Sequence, residues 1–341
     1  MKILQVIDIL NVGGAERVFV DLTNILYKHN EDVTALFILS KGPLYNILNQ
    51  KIPVHELNRK NKFSIYTLYK CSRLLTKYNI IHCHSKHVFR YIKLVCLTFR
   101  VKTPIILQDH YLTNSDNEVP LFMKNIFRPN IYIGVSNQLT EWAYKTLRLK
   151  PNKIYLLENI VIKQNITDLN QLIYDFILVS NIKKIKNQEF AIELANKIKD
   201  KQFLIVGNIQ DENYYKILKC NVKFNNVTFQ TSVENTQPIL KTARMGLHVS
   251  PSETGPLVII EYLAQGVPFL AFDTGEVSKI LKVHFPLFFI DNFNHENWIN
   301  RIEEILKMPN LQLKMQEVFE SNFNSYDYYL KCKKIYTDLN N

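Results

Sequence analysis

Short apolar runs, separated by longer amphipathic segments, constrain the fold of this chain more than any other feature. In the first half, each run has the length of a buried strand: residues 3–9, 33–39, 80–83, 105–108 and 131–135. A helical apolar stripe, including Val18, Leu22 and Ile25, follows the first run. Strands that alternate with helices predict a parallel sheet covered on both faces.

The same pattern begins again after a polar, asparagine-rich stretch near residues 163–171. Its strand runs are residues 176–180, 203–206, 227–229, 246–250 and 268–272. We therefore predict an α/β chain of two Rossmann-like, doubly wound domains. The predicted boundaries are 1–164 for the first domain and 165–322 for the second. Residues 323–341 should form a final helix that packs back on the first domain.

The charge balance favours anionic partners, since 42 Lys and Arg face 31 Asp and Glu. Phosphates, nucleic acid or an acidic membrane face are possible anionic partners. Compositional drift alone is the alternative explanation of the excess positive charge. Nucleic acid is not expected, because no RRM-like, zinc-finger or helix-turn-helix signature is present. The five scattered cysteines lack a Cys-x-x-Cys pair, which is typical of a reduced cytoplasmic protein. No metal site is expected, since His82 and His84 share a strand face without a nearby third ligand.

Glycine is scarce, with nine in 341 residues, so each should stand where its freedom or small size is needed. Gly13–Gly14, Gly207 and Gly275 directly follow predicted strands. Ligands bind at the carboxyl ends of the strands in open α/β sheets. These glycines therefore indicate binding loops.

The segment Pro251–Glu261 carries the strongest chemical signal. Glu253 should lie in a loop, and Gly255 should begin a helix whose first N–H groups can bind a diphosphate. Glu261 should lie about two turns further along, where its carboxylate could accept hydrogen bonds from a ribose diol. An ordinary strand–loop–helix unit is the alternative interpretation.

Residues 251–277, PSETGPLVIIEYLAQGVPFLAFDTGEV, resemble the Glu-x7-Glu signature of the retaining glycosyltransferases of family 4. Those enzymes have the GT-B fold, in which two Rossmann-like domains face each other across a cleft. Other family landmarks occur in the right order: Gly13–Arg17, His82–His84, Asp109–His110, 134–137 and Leu157–Asn159.

The resemblance implies that a sugar is transferred from a nucleoside diphosphate sugar, UDP-linked by preference, with retention at the anomeric carbon. The acceptor would be a glycan or a lipid-linked molecule, and the reaction would belong to the synthesis of a cell-surface polysaccharide such as lipopolysaccharide or capsule. The reaction would need neither a metal ion nor another cofactor. The implied catalytic residues are Glu253 and His110. The implied donor-binding residues are Gly14, Asn181, Lys186, Gly207, Val233, Gly255, Pro256, Leu257 and Glu261. The implied acceptor-side residues are Gly13, Arg17 and His84.

Several positions depart from the family pattern. Asn181 stands where the family has an arginine that clamps the diphosphate, and Lys183 or Lys184 would have to compensate. The glycine at 255 comes one residue late, and Thr231 replaces a usual glycine. A catalytically weakened GT-B partner protein and a sugar-nucleotide 2-epimerase therefore stay open as alternatives.

Individual residues also have simpler interpretations. His110 could be a core histidine, Glu16 and Arg17 a charge pair at a helix start, and the lysines around Lys186 a solvated face. The segment from Lys86 to Lys102 mixes basic and apolar residues. It predicts either peripheral docking on the anionic inner face of the cell membrane or a sheet-covering helix with an exposed basic side.

Overall fold

The computed structural model describes residues 1–111, 126–166 and 171–339. The chain divides into two compact units, Met1–Ile160 with Ser325–Asn341, and Val161–Asn324. Part of the asparagine-rich stretch, residues 167–170, lies outside the described residues.

The first unit contains a parallel sheet with the strand order β3-β2-β1-β4-β5-β6-β7 in the described residues. Its strands are β1 (Lys2–Ile9), β2 (Asp32–Ser40), β3 (Val54–Glu56), β4 (Ile80–His84), β5 (Ile105–Asp109), β6 (Ile131–Gly134) and β7 (Ile154–Leu156). Its helices are α1 (Gly14–Lys28), α2 (Ile65–Leu75), α3 (Lys86–Phe99), α4 (Asn137–Leu147) and, at the end of the chain, α12 (Ser325–Thr337).

Alternate residues of the central strands belong to two separate cores, one on each face of this sheet. Leu4 and Val6 of β1 pack in the core that α2, α3 and α4 cover. Ile7 packs in the other core, with Phe19 of α1. Helix α12 contacts α1, and its buried Tyr336 hydroxyl accepts a hydrogen bond of 2.9 Å from the Gln5 amide of β1.

The second unit contains a parallel sheet with the order β10-β9-β8-β11-β12-β13 in the described residues. Its strands are β8 (Tyr174–Val179), β9 (Phe203–Val206), β10 (Val227–Gln230), β11 (Ala243–His248), β12 (Phe269–Phe272) and β13 (Phe289–Ile290). Its helices are α5 (Gln188–Lys197), α6 (Glu212–Asn221), α7 (Gln237–Leu240), α8 (Leu257–Gln265), α9 (Gly275–Lys282), α10 (His295–Leu306) and α11 (Leu311–Asn322).

The predicted α/β class, with two Rossmann-like units built on parallel sheets, is confirmed. The sequence pattern missed β3, β7 and β13, because strands of two or three residues are too short to give a periodic signal. It also placed β11 at residues 246–250, whereas the strand starts at Ala243 and ends at His248.

Gly207 follows β9 and approaches the ends of the strands on either side of it, β8 and β10. A Cβ atom at this position would lie 1.9 Å from the carbonyl oxygen of Ser180, which follows β8. The Gly207 N–H donates to the carbonyl of Gln230 at the end of β10. Only glycine allows this close approach of backbones, so the loops after β8 and β9 depend on it.

We expect Gly207→Ala to lower the free energy of unfolding by more than about 2 kcal/mol, because backbone atoms must move to admit the methyl group. Gly13→Ala is the matched control, since its Cβ would meet only the flexible carboxylate of Glu16. That change at a helix N-cap should reduce stability by less than about 1 kcal/mol. Urea unfolding of the full chain measures both, and equal losses would contradict the packing argument.

Candidate functional site

The loop between β11 and α8 carries the predicted Glu-x7-Glu segment. Helix α8 begins at Leu257, with Pro256 in an extended conformation as its N-cap. The prediction that Gly255 begins the helix is therefore wrong by two residues, and Glu261 lies about one turn into the helix. The N–H groups of residues 257–259 are the first of α8 and have no partners within the helix. The segment thus presents backbone N–H donors, as predicted, but they begin at Leu257 and not at Gly255.

Glu253 lies in a cluster of charged and polar groups. Its carboxylate forms an ion pair with Lys186, and His248 Nε2 lies 3.6 Å from the same oxygen. The backbone N–H of Glu253 donates to the Thr274 hydroxyl at 3.1 Å. Lys186 ends a short 3-10 helix after β8, while His248 ends β11, so neighbouring strands bring the three groups together.

The surroundings of Glu253 keep its carboxylate ionised. Burial raises the pKa of this carboxyl, but the hydrogen bond and charge of His248, with the charge of Lys186, outweigh burial and lower the pKa to about 2. Burial also lowers the pKa of Lys183, and Lys186 lowers it further, whereas Glu253 opposes that change. Lys183 therefore lies close enough to take part in the cluster electrostatically.

Glu261 is buried, with 6% of its surface exposed, and lies in the second turn of α8. The Thr236 hydroxyl donates a hydrogen bond of 2.8 Å to its Oε2 atom. Thr236 immediately precedes α7. A buried carboxylate fixed in this way is suited to accept hydrogen bonds from a diol.

The remaining predicted donor-binding residues of the second unit also lie at the carboxyl edge of its sheet. Asn181 follows β8, Gly207 follows β9, and Val233 follows β10, partly buried against the core. The Asn181 carbonyl accepts a hydrogen bond of 2.9 Å from the Gln188 side chain. The usual glycine is replaced by Thr231, but the left-handed residue is the next one, Ser232, with φ of 61°.

In the first unit, His84 and His110 stack, and His84 Nδ1 lies 3.4 Å from His110 Nε2. His84 Nε2 lies 2.8 Å from the Gln5 side-chain oxygen and donates to it, so His84 Nδ1 accepts from His110 Nε2. Burial lowers the pKa of His110 to about 4 and that of His84 well below its usual value. Both imidazoles are therefore neutral at neutral pH.

Gly13, Gly14 and Arg17 lie at the start of α1. Gly13 is the extended N-cap residue, and Gly14 is the first helical residue. Arg17 is buried, and its Nε atom lies 3.2 Å from both carboxylate oxygens of Asp21. Gly14 was predicted to bind the donor, but it belongs to the first unit, whereas the other predicted donor-binding residues belong to the second.

The sequence prediction missed a polar cluster at the carboxyl ends of β1 and β4. His87 Nε2 lies 2.9 Å from the Asp8 carboxylate, and Ser85 Oγ lies 3.0 Å from His87 Nδ1. Arg59 also approaches Asp8, at 3.6 Å. The available signal was the position of Asp8 near a strand end, and of Ser85 and His87 just after one, because neighbouring parallel strands end at the same edge.

The apolar residues of the proposed docking segment Lys86–Lys102 are mostly part of the core. Phe89, Ile92 and Val95 of α3 are buried in the core between this helix and the sheet. Lys86 pairs with Asp109 at 2.8 Å and lies over the Trp142 ring. The segment is therefore a sheet-covering helix, and membrane docking through these apolar side chains was the wrong interpretation.

Comparison with known proteins relates the chain to glycosyltransferases. Residues 163–321 match the family model described as glycosyl transferases group 1. A Haemophilus influenzae protein named uncharacterized glycosyltransferase is 24% identical over 346 residues, covering 95% of this chain and 94% of the relative. These matches support a transferase.

Solved structures match over nearly the whole length. The structure of Anabaena Alr3699/HepE in complex with UDP and glucose has a TM-score of 0.80 at 17% identity, with 99% of both chains covered. A structure of a Staphylococcus aureus TarM mutant in complex with Fondaparinux, alpha-GlcNAc-glycerol and UDP has a TM-score of 0.77 at 12% identity, covering 98% of this chain and 99% of that one. The fold is that of the GT-B glycosyltransferases, as predicted.

Among the described residues, none of the helices combines the length and apolar character that crossing a membrane requires.

The low pKa of Glu253 predicts a specific acid response. Its folded-state pKa of about 2 lies below the ordinary value of 4.5, so the carboxylate stabilises the fold above pH 4.5 and loses that contribution as the pH falls toward 2. Glu253→Gln removes this titration. The stability difference between parent and variant should therefore shrink by about 2 kcal/mol between about pH 6 and about pH 3.

Urea unfolding across this pH range measures the effect. Lys186→Met should reduce the same pH dependence, because the charge of Lys186 helps to lower the pKa of Glu253. Parallel curves for the parent and Glu253→Gln would contradict the assigned electrostatics.

Proposed function

We propose that the chain is a retaining glycosyltransferase of family 4, which transfers a sugar from a UDP-sugar to a glycan or lipid-linked acceptor. The enzyme would act in cell-surface polysaccharide synthesis. It would be cytoplasmic and peripherally bound to the inner face of the cell membrane. The supporting observation is the cluster of Lys186, Glu253 and His248 at the same sheet edge as the start of α8. That edge is where an open α/β sheet binds ligands.

The donor diphosphate would be held by Lys186 and the first N–H groups of α8. Negative charge grows on the leaving nucleoside diphosphate as the glycosidic bond breaks, and preorganised donors stabilise it. Lys186 would exchange the Glu253 carboxylate for phosphate oxygens when the donor binds. Glu253 would then accept hydrogen bonds from the sugar hydroxyls, and we expect the transfer to proceed without a metal ion.

Glu261 would hold the ribose through its diol, with Thr236 fixing the carboxylate. Neutral His110 would contact the sugar by hydrogen bonding and would not act as a cationic acid, because burial lowers its pKa to about 4. His84 would orient the His110 ring, and Gly13 and Arg17 would stand on the acceptor side.

Solved relatives support UDP as the nucleotide, since Anabaena Alr3699/HepE was solved with UDP-glucose and with UDP. The similar lipopolysaccharide outer core galactosyltransferase WaaB supports a role in surface polysaccharide synthesis.

A catalytically weakened partner protein is the second candidate, and Asn181 is the observation that favours it. A neutral side chain there cannot form the bidentate contact that arginine makes with phosphate. Lys183 would compensate in an active enzyme, since the charges of Lys186 and Glu253 both act on its pKa, and Lys186 is the proposed phosphate ligand.

Donor binding tests the main proposal directly. UDP and UDP-sugars should raise the melting temperature of the full chain more than the GDP, ADP, CMP and dTDP counterparts, because a ligand that binds only the folded state stabilises it. Glu261→Ala should weaken this binding at least about tenfold, since the ribose loses charge-assisted hydrogen bonds. Glu212→Ala, which removes an exposed carboxylate of α6, should bind UDP like the parent.

The product then distinguishes the alternatives. A transferase releases UDP and forms a glycoside whose anomeric configuration, read by NMR, matches that of the donor, whereas an epimerase yields a 2-epimeric nucleotide sugar. Binding without turnover would indicate the partner protein. Equal UDP affinity of the parent and Glu261→Ala would refute the role of Glu261.

Restoring arginine tests the phosphate contact. Asn181→Arg should tighten UDP binding by about tenfold or more, because a charge-assisted pair replaces a neutral one. Lys183→Met should weaken binding in the parent and have less effect in the Asn181→Arg background. Isothermal titration with UDP measures both. No change in either variant would exclude these residues from the phosphate site.

A further inference from the structure

Positive charge is concentrated in one segment of the first unit. Residues 57–108 contain eleven Lys and Arg and no Asp or Glu. The whole chain has 42 basic and 31 acidic residues, so removing this segment leaves 31 of each. The net charge of +11 therefore arises from one stretch, and general compositional drift does not explain it.

The same segment exposes large apolar side chains where α2 begins. Phe63 is 76% exposed, Ile65 66%, Tyr66 74% and Tyr69 53%. The opposite side of α2, including Leu68, packs in the core. The exposed side chains are thus additional to what the fold needs, and apolar clusters of this kind mark interaction surfaces.

Exposed basic residues flank these apolar ones in the sequence. We define the α2 surface as the exposed residues Lys60, Lys62, Phe63, Ile65, Tyr66, Tyr69, Lys70 and Arg73. Tyr69 packs edge-on against Phe99 at the end of α3, which joins the surface to exposed Arg100. The Ser64 side chain caps α2 by accepting the Thr67 N–H, so the apolar turn is a defined helix start.

The α2 surface begins at the carboxyl edge of the first sheet, because its loop follows β3. Arg59 fixes this loop to the edge through Asp8, at 3.6 Å, and through the Tyr91 ring, with 4.5 Å to the centroid. Asp8 in turn contacts His87, next to the end of β4. The surface therefore adjoins the edge that carries His84 and His110.

We propose that the α2 surface docks the first unit on an anionic lipid bilayer, an inference that rests on the membrane-peripheral role in the proposed function and identifies the surface responsible. Basic side chains near such a surface attract it electrostatically, while exposed Phe and Ile insert between headgroups and Tyr lies at the interface. Residues 57–108 contain no acidic side chain, so this segment adds no repulsion that would oppose docking. An aliphatic residue such as Ile65 does not stack on bases, which favours a bilayer over nucleic acid.

Co-sedimentation of the full chain with vesicles tests this proposal. The chain should bind vesicles of equal parts phosphatidylglycerol and phosphatidylcholine, and bind pure phosphatidylcholine vesicles far more weakly. Lys60→Gln with Lys62→Gln should weaken binding about 30-fold, since each basic residue contributes about 1 kcal/mol. Phe63→Ser with Tyr66→Ser should weaken it at least about tenfold, because inserted apolar area is lost.

Matched controls come from α6 and the loop after it, in the second unit. Lys216→Gln with Lys219→Gln removes the same charge, and Ile217→Ser with Phe224→Ser removes two exposed apolar side chains. Both control pairs should bind vesicles like the parent, and thermal unfolding should be unchanged in all four variants.

Three results would overturn the proposal: no binding by the parent, equal loss in the control pairs, or equal binding to neutral vesicles. Competition by single-stranded DNA that depends on the lysines but not on Phe63 and Tyr66 would indicate a nucleic-acid partner instead. The assay contains no sugar nucleotide, so its failure is distinct from failure of the donor site, which UDP titration measures.

Discussion

Parallel strands that are buried on both faces leave few places for charged side chains except the ends of the strands. In the second unit, β8 and β11 are neighbours, so the loops that follow them bring Lys186 to Glu253 although the two are 67 residues apart. The same constraint brings Asp8, near the end of β1, to His87, which follows β4. Each candidate site is thus a consequence of strand order, and the apolar strand interiors that determine this order also fix the chemistry at the edge.

The first sheet contains an exception, because polar side chains are buried between its face and α12. The Tyr336 hydroxyl lies 2.8 Å from His82 Nδ1 and accepts from the Gln5 amide, whose carbonyl oxygen accepts from His84. Burial lowers the pKa of His82 to about 3. Protonating any of these imidazoles would place an uncompensated charge in the core, so the network favours neutral rings in fixed tautomers. The helix at the end of the chain thereby helps to orient His110 through Gln5 and His84.

The strand interiors were predictable, because a short continuous apolar run such as β9 indicates a strand that is buried on both faces. The start of α8 was not, since Gly255 and Pro256 both suit the first turn of a helix, and only the extended conformation at Pro256 moves the start to Leu257. The contact of His87 with Asp8 depends on which strands become neighbours, which local periodicity cannot reveal. Helix α3 was ambiguous for a related reason, because an apolar stripe looks the same whether it faces a sheet or a membrane, and the core contacts of Phe89 decide between them.

The positive charges of this chain fall into two groups that the overall pI does not distinguish: those around Lys186 and those of residues 57–108. At the proposed donor site, Lys186 forms an ion pair with Glu253, so its positive charge is locally balanced and would reach a phosphate only by exchange of partners. The α2 surface belongs to residues 57–108, which contain eleven basic and no acidic residues, so this segment contributes the net positive charge of the chain. A soluble anionic donor therefore depends on the geometry of a few groups, whereas an extended anionic surface would respond to the unbalanced segment. This difference explains why a chain can be strongly basic although Lys186 and Glu253, in the proposed nucleotide-binding cluster, neutralise each other.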